Sequence, residues 1–285
     1  MKKIEKSRVF LEEKMSLFQC PVCSESYQSV TGNGVRCPNN HQFDLSKKGT
    51  LHFLLKASHN DYDRDMLSQR KSLAQTGFFH PMLAEIIKVL KDKKNDTILD
   101  VGCGEGSHLH YLTEHGLTGT KVGFDISKDA IQLAAANFFE DAFWCVADLA
   151  QSPFSKEQFD VILNIFSPSH YQEFDRIMKP KGTLVKVVPN AAYLQELRQK
   201  LYWDDDGKRI YDNNQVIDRF AEAYPDFTQQ DVTYEVALTK ESYQWLLAMT
   251  PLTWSASDEQ IKQALEEPLK SITVSVTLLI GQKND

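Results

Sequence analysis

The sequence predicts an α/β protein: a doubly wound, mostly parallel sheet with a small metal-binding module in front of it. Three observations predict this. After residue 97, short apolar runs alternate with helix-like stretches, as in a parallel sheet with crossover helices. The first of those runs enters a loop with glycine at every second position (Gly102, Gly104, Gly106), and an acid, Asp125, ends the next run nineteen residues after Gly106. The N-terminal stretch holds three of the chain's five cysteines, paired in spacing and followed by a histidine.

The module comes first. Cys20-Pro-Val-Cys23 has two residues between its cysteines, Cys37-Pro-Asn-Asn-His41 has three between its ends, and 13 residues separate the pairs. A Cys₃His set with such spacing suits a closed tetrahedral zinc site, which leaves no open position for catalysis. Cys20, Cys23, Cys37 and His41 are the expected metal ligands. The competing readings are a redox loop and a surface histidine beside an incomplete site. Gly32-Asn33-Gly34 reads as a hairpin turn between the pairs. So short a segment buries little apolar surface alone, so metal is expected to supply its folding energy. Cys103 and Cys145 read as small buried residues.

Charge is uneven along the 285 residues. The whole chain carries a net −7, which argues against a nucleic-acid partner at face value, but residues 1–59 carry +4 and the remainder −11. A basic module on an acidic body is consistent with local binding of an anion. No apolar run approaches the ~18 residues of a membrane span. The nearest, Ile272 to Gly281, alternates like a strand, and Met1 to Met15 is charged throughout and lacks a signal-peptide core. A cytoplasmic protein is expected, with no membrane and no DNA partner.

Residues 60–95 are expected to connect the module (1–59) to the sheet domain (96–285). Arg64 to Ala74 suggests one helix, Gly77 breaks it, Phe78-Phe79-His80-Pro81 makes a turn, and Met82 to Leu90 resumes an apolar period of 3 to 4. Arg64, Arg70 and Lys71 read as a solvated face before they read as phosphate contacts. Phe78 and Phe79 read as packing residues, one of which could cover a ligand.

The expected strands are Thr97–Val101, Lys121–Ile126, Phe143–Ala147, Phe159–Ile165, Gly182–Val188, Val232–Leu238 and Ile272–Ile280, the last two suited to an antiparallel edge. Asp129–Phe139 and Gln172–Met178 read as helices between them. Ligands of such sheets lie at the carboxyl ends of the strands. That gathers Gly102–Gly106, Asp125, Ala147-Asp148-Leu149 and Asn164-Ile165-Phe166-Ser167-Pro168 around one pocket. Glycine lets backbone approach a ligand, and a carboxylate about 20 residues on suits the hydroxyls of an adenosine ribose. Asp148 reads equally as an acceptor for an adenine amino group and as a helix N-cap. Phe166 or Trp144 could stack on a substrate base, although strand aromatics usually pack.

The glycines are one residue tighter than Gly-x-Gly-x-x-Gly. With Asp100 ahead of them the loop resembles the S-adenosylmethionine (SAM) loop of Rossmann-like class I methyltransferases. The whole chain, from about residue 18 to about residue 280, is similar to one family, the RlmA-type 23S ribosomal RNA (guanine-N1)-methyltransferases. The likeness lies in Cys20-x-x-Cys23, in Cys37-Pro-x-x-His41-Gln42-Phe43-Asp44 and in Arg70…Gly77-x-x-x-Pro81. It continues in Leu99 to Gly106, Gly123-Phe-Asp125-Ile-Ser127-Lys128, Phe143-Trp-Cys145-Val-Ala147 and Met178-Lys179-Pro180. It ends in Pro189-x-x-x-Tyr193-Leu194-x-Glu196-Leu197 and Met249-Thr250-Pro251. Two departures stand out. Lys181 replaces the usual glycine of a Lys-Pro-Gly-Gly turn, and position 193, often histidine in the family, is tyrosine.

The resemblance implies a zinc domain that grips a hairpin of 23S rRNA, a sheet domain that holds SAM, and methyl transfer to N1 of a guanine. It implies a possible homodimer forming an RNA-binding cleft, and cofactor contacts at Phe79, Gly104, Glu105 and Tyr193. Together with the reading above, the expected cofactor-binding set is Phe79, Asp100, Gly102, Gly104, Glu105, Gly106, Asp125, Ile126, Asp148, Asn164 and Tyr193. N1 carries a proton at neutral pH, and the group that accepts it stays unassigned among Asp148, Glu173 and a solvent relay. The alternatives are a small-molecule SAM methyltransferase with an accessory zinc module, which the acidic body favours, and a non-catalytic zinc RNA-binding protein.

Overall fold

The computed structural model describes residues 1–56, 63–203 and 205–284. The expected boundary at 59/60 lies outside the described residues. The strands are β1 (Ser29–Thr31), β2 (Gly34–Arg36), β3 (Gln42–Asp44), β4 (Leu51–His52), β5 (Ile98–Val101), β6 (Lys121–Asp125), β7 (Phe143–Val146), β8 (Phe159–Ile165), β9 (Met178–Pro189), β10 (Thr228–Ala237) and β11 (Ser271–Gln282). Among the described residues β1–β3 form a small antiparallel sheet, and the other eight form one sheet in the order β10-β11-β9-β8-β5-β6-β7-β4. Its pairs are parallel from β9 to β4, and β11 runs antiparallel to both β9 and β10.

Each expected strand of the sheet is present. β10 starts four residues earlier than Val232, where Thr228 to Asp231 is polar and exposed or half-buried, so its pattern carries little apolar signal. β9 starts at Met178, before a backbone turn in which Lys181 has φ +61°. That left-handed conformation suits glycine, and lysine bears a strain of ~1–2 kcal/mol in adopting it. The Gln172–Met178 helix ends one residue short, at Ile177. Helices Arg64–Gln75 and His80–Val89 flank Gly77, whose φ is +88°. The turn foreseen at Phe78 to Pro81 is present at Phe78 and Phe79, while His80 and Pro81 begin the second helix, with proline in its first turn, where a missing N–H costs nothing. Helices also occupy Gln195–Leu201, Asn214–Ala223, Lys240–Met249 and Asp258–Glu266.

Alternation along the strands splits the interior into two layers. On one side Ile98, Trp144 and Val146 pack against Leu73, Met82, Ile86, Leu109 and Leu246 from the helices. On the other side Leu99, Val101, Phe124, Phe143 and Cys145 meet the N-terminal module. Phe18 bridges to Phe154 and packs on Phe143 at 5.5 Å between ring centroids, while Phe10 stacks on Phe143 at 4.7 Å. Leu51–His52 adds a parallel strand beside β7, and Phe53 N donates to Val146 O at 2.8 Å. The zinc module therefore forms one layer of the sheet's own core. Strand β4 is two residues long, and no periodicity in the sequence reveals it.

Phe18 is 1% exposed and packs on Phe53 of its own module and on Phe143 and Phe154 of the sheet domain. Phe18→Ala is expected to cost about 3–5 kcal/mol. In urea titrations followed by fluorescence the midpoint should fall in a single transition. Two separated transitions would show that the module and the sheet do not share a core.

Candidate active site and metal centre

β5 leads into the glycine loop, and its three glycines have different jobs. A Cβ on Gly102 (φ +67°) would lie 2.6 Å from the Cβ of Ser167, and one on Gly106 (φ +89°) would lie 2.9 Å from the Trp144 ring. Both positions exclude side chains because protein packs there. A Cβ on Gly104 (φ +57°) would meet nothing within 4 Å, so its bare backbone faces open space. Gly104 N donates to Asp125 Oδ2 at 2.9 Å and Ser127 N to Asp125 Oδ1 at 2.8 Å. Each oxygen keeps a lone pair, so the carboxylate at the end of β6 can still accept from ribose hydroxyls. Burial raises the Asp125 pKa.

A cavity of about 350 Å³ opens over this loop. Gly102, Gly104, Asp125, Ile126 and Asp148 line it, together with Leu67, Phe166 and Ser167. Asp148 Oδ1 accepts from Ala150 N at 2.9 Å, so the N-cap reading holds, and the residue stands in the cavity wall as well. Backbone amides, an acceptor carboxylate and apolar walls fit an adenosine-bearing cofactor. A second cavity of about 540 Å³ shares Arg70, Phe166, Ser167 and Pro168 with the first. Phe79, Tyr193 and Lys186 line the second one.

The remaining expected site residues stand behind these walls. Asp100 and Glu105 are each 2% exposed, beneath the loop. Arg70 Nε reaches Glu105 Oε2 at 3.5 Å, and Arg70 lines both cavities, so it is a wall of the site and not the solvated helix face its sequence suggests. Asn164 lines neither cavity. Its amide nitrogen donates to Ser167 Oγ (2.6 Å) and Pro168 O (3.0 Å), and its oxygen accepts from Lys186 Nζ (2.7 Å) and Ser169 Oγ (2.8 Å). It shapes the loop after β8. Glu173 is held by Arg176 and lines neither cavity. Trp144 is 1% exposed and donates to Phe138 O, which makes it core, whereas Phe166 lies in the wall shared by the cavities. Ser167 lies at the site, as its stretch after β8 predicts. Lys186 carries no recognisable motif, and only the hydrogen bonds that β8 and β9 bring together mark it as part of the site.

In the module, the ligand atoms of Cys20, Cys23, Cys37 and His41 all lie within 4.8 Å of one another. Cys23 and Cys37 sulfurs are 3.7 Å apart, and His41 Nδ1 lies 3.5 Å from Cys20 Sγ and 3.4 Å from Cys37 Sγ. A tetrahedral zinc with bonds of ~2.3 Å has sulfur–sulfur edges of about 3.8 Å, so the cluster fits the metal. Ser24 (φ +60°) and Asn40 (φ +63°) turn the chain after each ligand pair's first cysteine, with Ser24 N donating to Cys20 O and Asn40 N to Cys37 O. The Cys103 and Cys145 thiols are buried in the sheet domain, apart from this cluster.

Residues 92–248 match the family described as methyltransferase domain, and residues 18–58 match that described as RlmA, N-terminal. A Bacillus subtilis protein, YxjB, named as a 23S rRNA (guanine-N1)-methyltransferase, is 41% identical over 94% of this chain and 98% of its own. The 23S rRNA (guanine(748)-N1)-methyltransferase of Streptomyces fradiae is 25% identical over 92% of this chain and 95% of its own. Among solved structures, the YcgJ protein of Bacillus subtilis shares the fold at a TM-score of 0.50, 17% identical over 72% of this chain and 99% of its own. Among the described residues no helix is long and apolar enough to cross a membrane.

Two measurements follow from this geometry. Cys37→Ser should abolish stoichiometric zinc in elemental analysis and lower the melting temperature, because the metal holds a layer of the core. Burial, with the Asp125 charge adding to it, raises the Asp100 pKa to about 7. A raised acid pKa means that the fold binds this proton more tightly than the unfolded chain, so stability is lost as pH rises from about 4 to 7. Asp100→Asn should therefore raise the melting temperature more at pH 8 than at pH 4. An equal shift at both would reject the buried-charge account.

Proposed function

The chain belongs to the RlmA-type 23S rRNA (guanine-N1)-methyltransferases, and from that premise we propose that it transfers a methyl group from SAM to N1 of a guanine in a hairpin of 23S rRNA. The observation that carries the reading is the joining of two cavities across one wall, with the glycine loop and Asp125 on one side. Bound SAM supplies an already activated sulfonium methyl. The protein's own task is then to align donor and acceptor.

In this reading Gly104 lends bare backbone to the cofactor, Asp125 accepts from the ribose hydroxyls, and Asp148 faces the adenine. Ile126, 37% exposed at the cavity wall, covers the adenine ring. Asp100, Glu105 and Gly106 act from behind by holding the loop. Phe79 and Tyr193 belong to the acceptor side, where Tyr193 and Phe166 rings stand 5.7 Å apart. N1 lies on the Watson–Crick edge of guanine, so the base must be unpaired when it enters, and a hairpin loop supplies such a base. Exposed Trp203, next to Tyr202, suits stacking on a neighbouring base, and exposed Ile210, next to Tyr211 of the acceptor cavity, suits apolar contact with one. The basic zinc module is the proposed grip on the RNA backbone, and pairing of two copies around the hairpin is part of the same proposal.

The test is methyl transfer from labelled SAM to 23S rRNA from cells lacking the gene, read by nucleoside mass spectrometry. 1-Methylguanosine is the expected product, and SAM binding without RNA label would turn the reading towards a small-molecule acceptor. Asp125→Ala should weaken SAM binding about 10- to 100-fold, the ~1.5–3 kcal/mol of hydrogen bonds to a charged group. Unchanged affinity in calorimetry would remove the ribose assignment.

A further inference from the structure

Lys186 is 4% exposed, lies in β9 directly opposite Asn164 of β8, and lines the acceptor cavity. Its ammonium donates to Asn164 Oδ1 at 2.7 Å and to Ser167 O at 3.3 Å. An ammonium has three N–H groups, so one donor remains for a third partner. Among the described residues no carboxylate lines this cavity; its other ionisable or charged side chains are Arg70, Arg219, Tyr171, Tyr193 and Tyr211. Burial raises the pKa of each of these tyrosines, Tyr193 to about 12, so they stay neutral and protonated near pH 7. A buried cation without a protein counter-charge favours a ligand that brings an anionic or strongly accepting oxygen. Lys186 stands one residue from the cofactor loop, since Ser167 also packs against Gly102 and its hydroxyl donates to Val101 O at 2.6 Å.

We propose that Lys186 is the guanine-recognising catalytic residue of this site, donating its free N–H to the carbonyl oxygen O6 of the target base. The proposal rests on the guanine-N1 reading above. When N1–H breaks, the proton passes to water in the open cavity and the negative charge spreads over N1 and O6. The ammonium stabilises that charge. The N1 electron pair forms the bond to the methyl carbon, and the carbon–sulfur bond breaks with its electrons on sulfur. Adenine presents an amino donor where guanine presents O6, so the same ammonium rejects it. Asn164 and Ser167 act through Lys186, as positioning residues that hold its head.

Burial lowers the Lys186 pKa to about 8. The charge is therefore present below pH 8 and lost above it. In wild type, kcat/KM should fall with a midpoint near pH 8, and Lys186→Arg should keep most of the rate while losing that descending limb. Lys186→Met should lower kcat about 100-fold or more, the usual loss for a donor to a developing oxyanion. SAM affinity should stay within about threefold in both variants. The protein alone should bind a hairpin with guanosine at the methylated position more tightly than one with 2-aminopurine, which lacks O6, and Lys186→Met should erase that preference. Equal rate loss in the Arg and Met variants, or equal wild-type binding of the two hairpins, would overturn the proposal. The binding contrast decides it even where Lys186→Met does not fold. If wild type forms no 1-methylguanosine, the reaction itself is misassigned and this role falls with it.

Discussion

The face of β5, β6 and β7 that carries Leu99, Val101, Phe124, Phe143 and Cys145 must be covered, and the chain covers it with its zinc module. Most doubly wound sheets put helices on both faces. Here Phe10, Phe18, Phe43 and Phe53 take that place around Phe143 and Phe154. The arrangement ties metal to catalysis. Zinc fixes the knuckles, the knuckles fix these rings, and the rings fix the strands whose far ends carry Gly104, Asp125 and Asp148. The N-terminal helix Lys3–Lys14 adds polar ties: Lys3 Nζ caps the helix Lys128–Asn137 at Ala135 O, and Ser7 Oγ donates to Gly49 O. A module built in this way holds a set orientation to the cofactor cavity, which suits a protein that must present one base of a large RNA to one methyl group.

Those strand ends pose an electrostatic problem. Asp100, Glu105 and Asp125 crowd beneath and beside the glycine loop, and the nearby cation is Arg70 from the helix Arg64–Gln75. The raised pKa of Asp100 comes first from burial, with the Asp125 and Glu105 charges adding to it and Arg70 opposing it. A cofactor bearing a sulfonium and an ammonium would offset these acids, so their crowding would favour its binding. Arg70 also joins the two cavities, so a charge placed on one side is felt on the other.

Residues whose chemistry is set by local spacing were legible in the sequence. The two cysteine pairs meet because each turn of three or four residues brings its ligands together, and Gly102 to Gly106 with Asp125 sit on adjacent strand ends. Lys186 was not legible. Within Thr183 to Val188 it looks like the solvent-facing member of an alternating strand, and its burial depends on Asn164 and Ser167, which the register of β8 and β9 brings to it. Asn164 shows the converse: its position at a strand end suggests a ligand contact, and its hydrogen bonds go to Ser167, Pro168, Ser169 and Lys186. Leu51–His52 is hidden because two residues have no period. Arg70 reads as surface because a helix pattern reports which face is polar and not what that face meets.

The wall between the cavities is where donor and acceptor must meet, and its backbone is strained at that place. Phe166 has φ +57°, a conformation that costs a non-glycine residue ~1–2 kcal/mol. It is held there by its N–H to Val187 O at 3.1 Å and by rings of Phe79 and Tyr193 at 6.1 and 5.7 Å. The next residue, Ser167, locks onto Val101 O and accepts from Asn164, which in turn takes Lys186. One left-handed residue thus turns the chain from β8 so that the ring lines both cavities while the following backbone carbonyl anchors the lysine. In-line transfer depends on alignment to within a fraction of an ångström. A turn fixed in this way supplies that alignment better than a free loop, because moving the ring breaks its contacts with Phe79 and Tyr193 together.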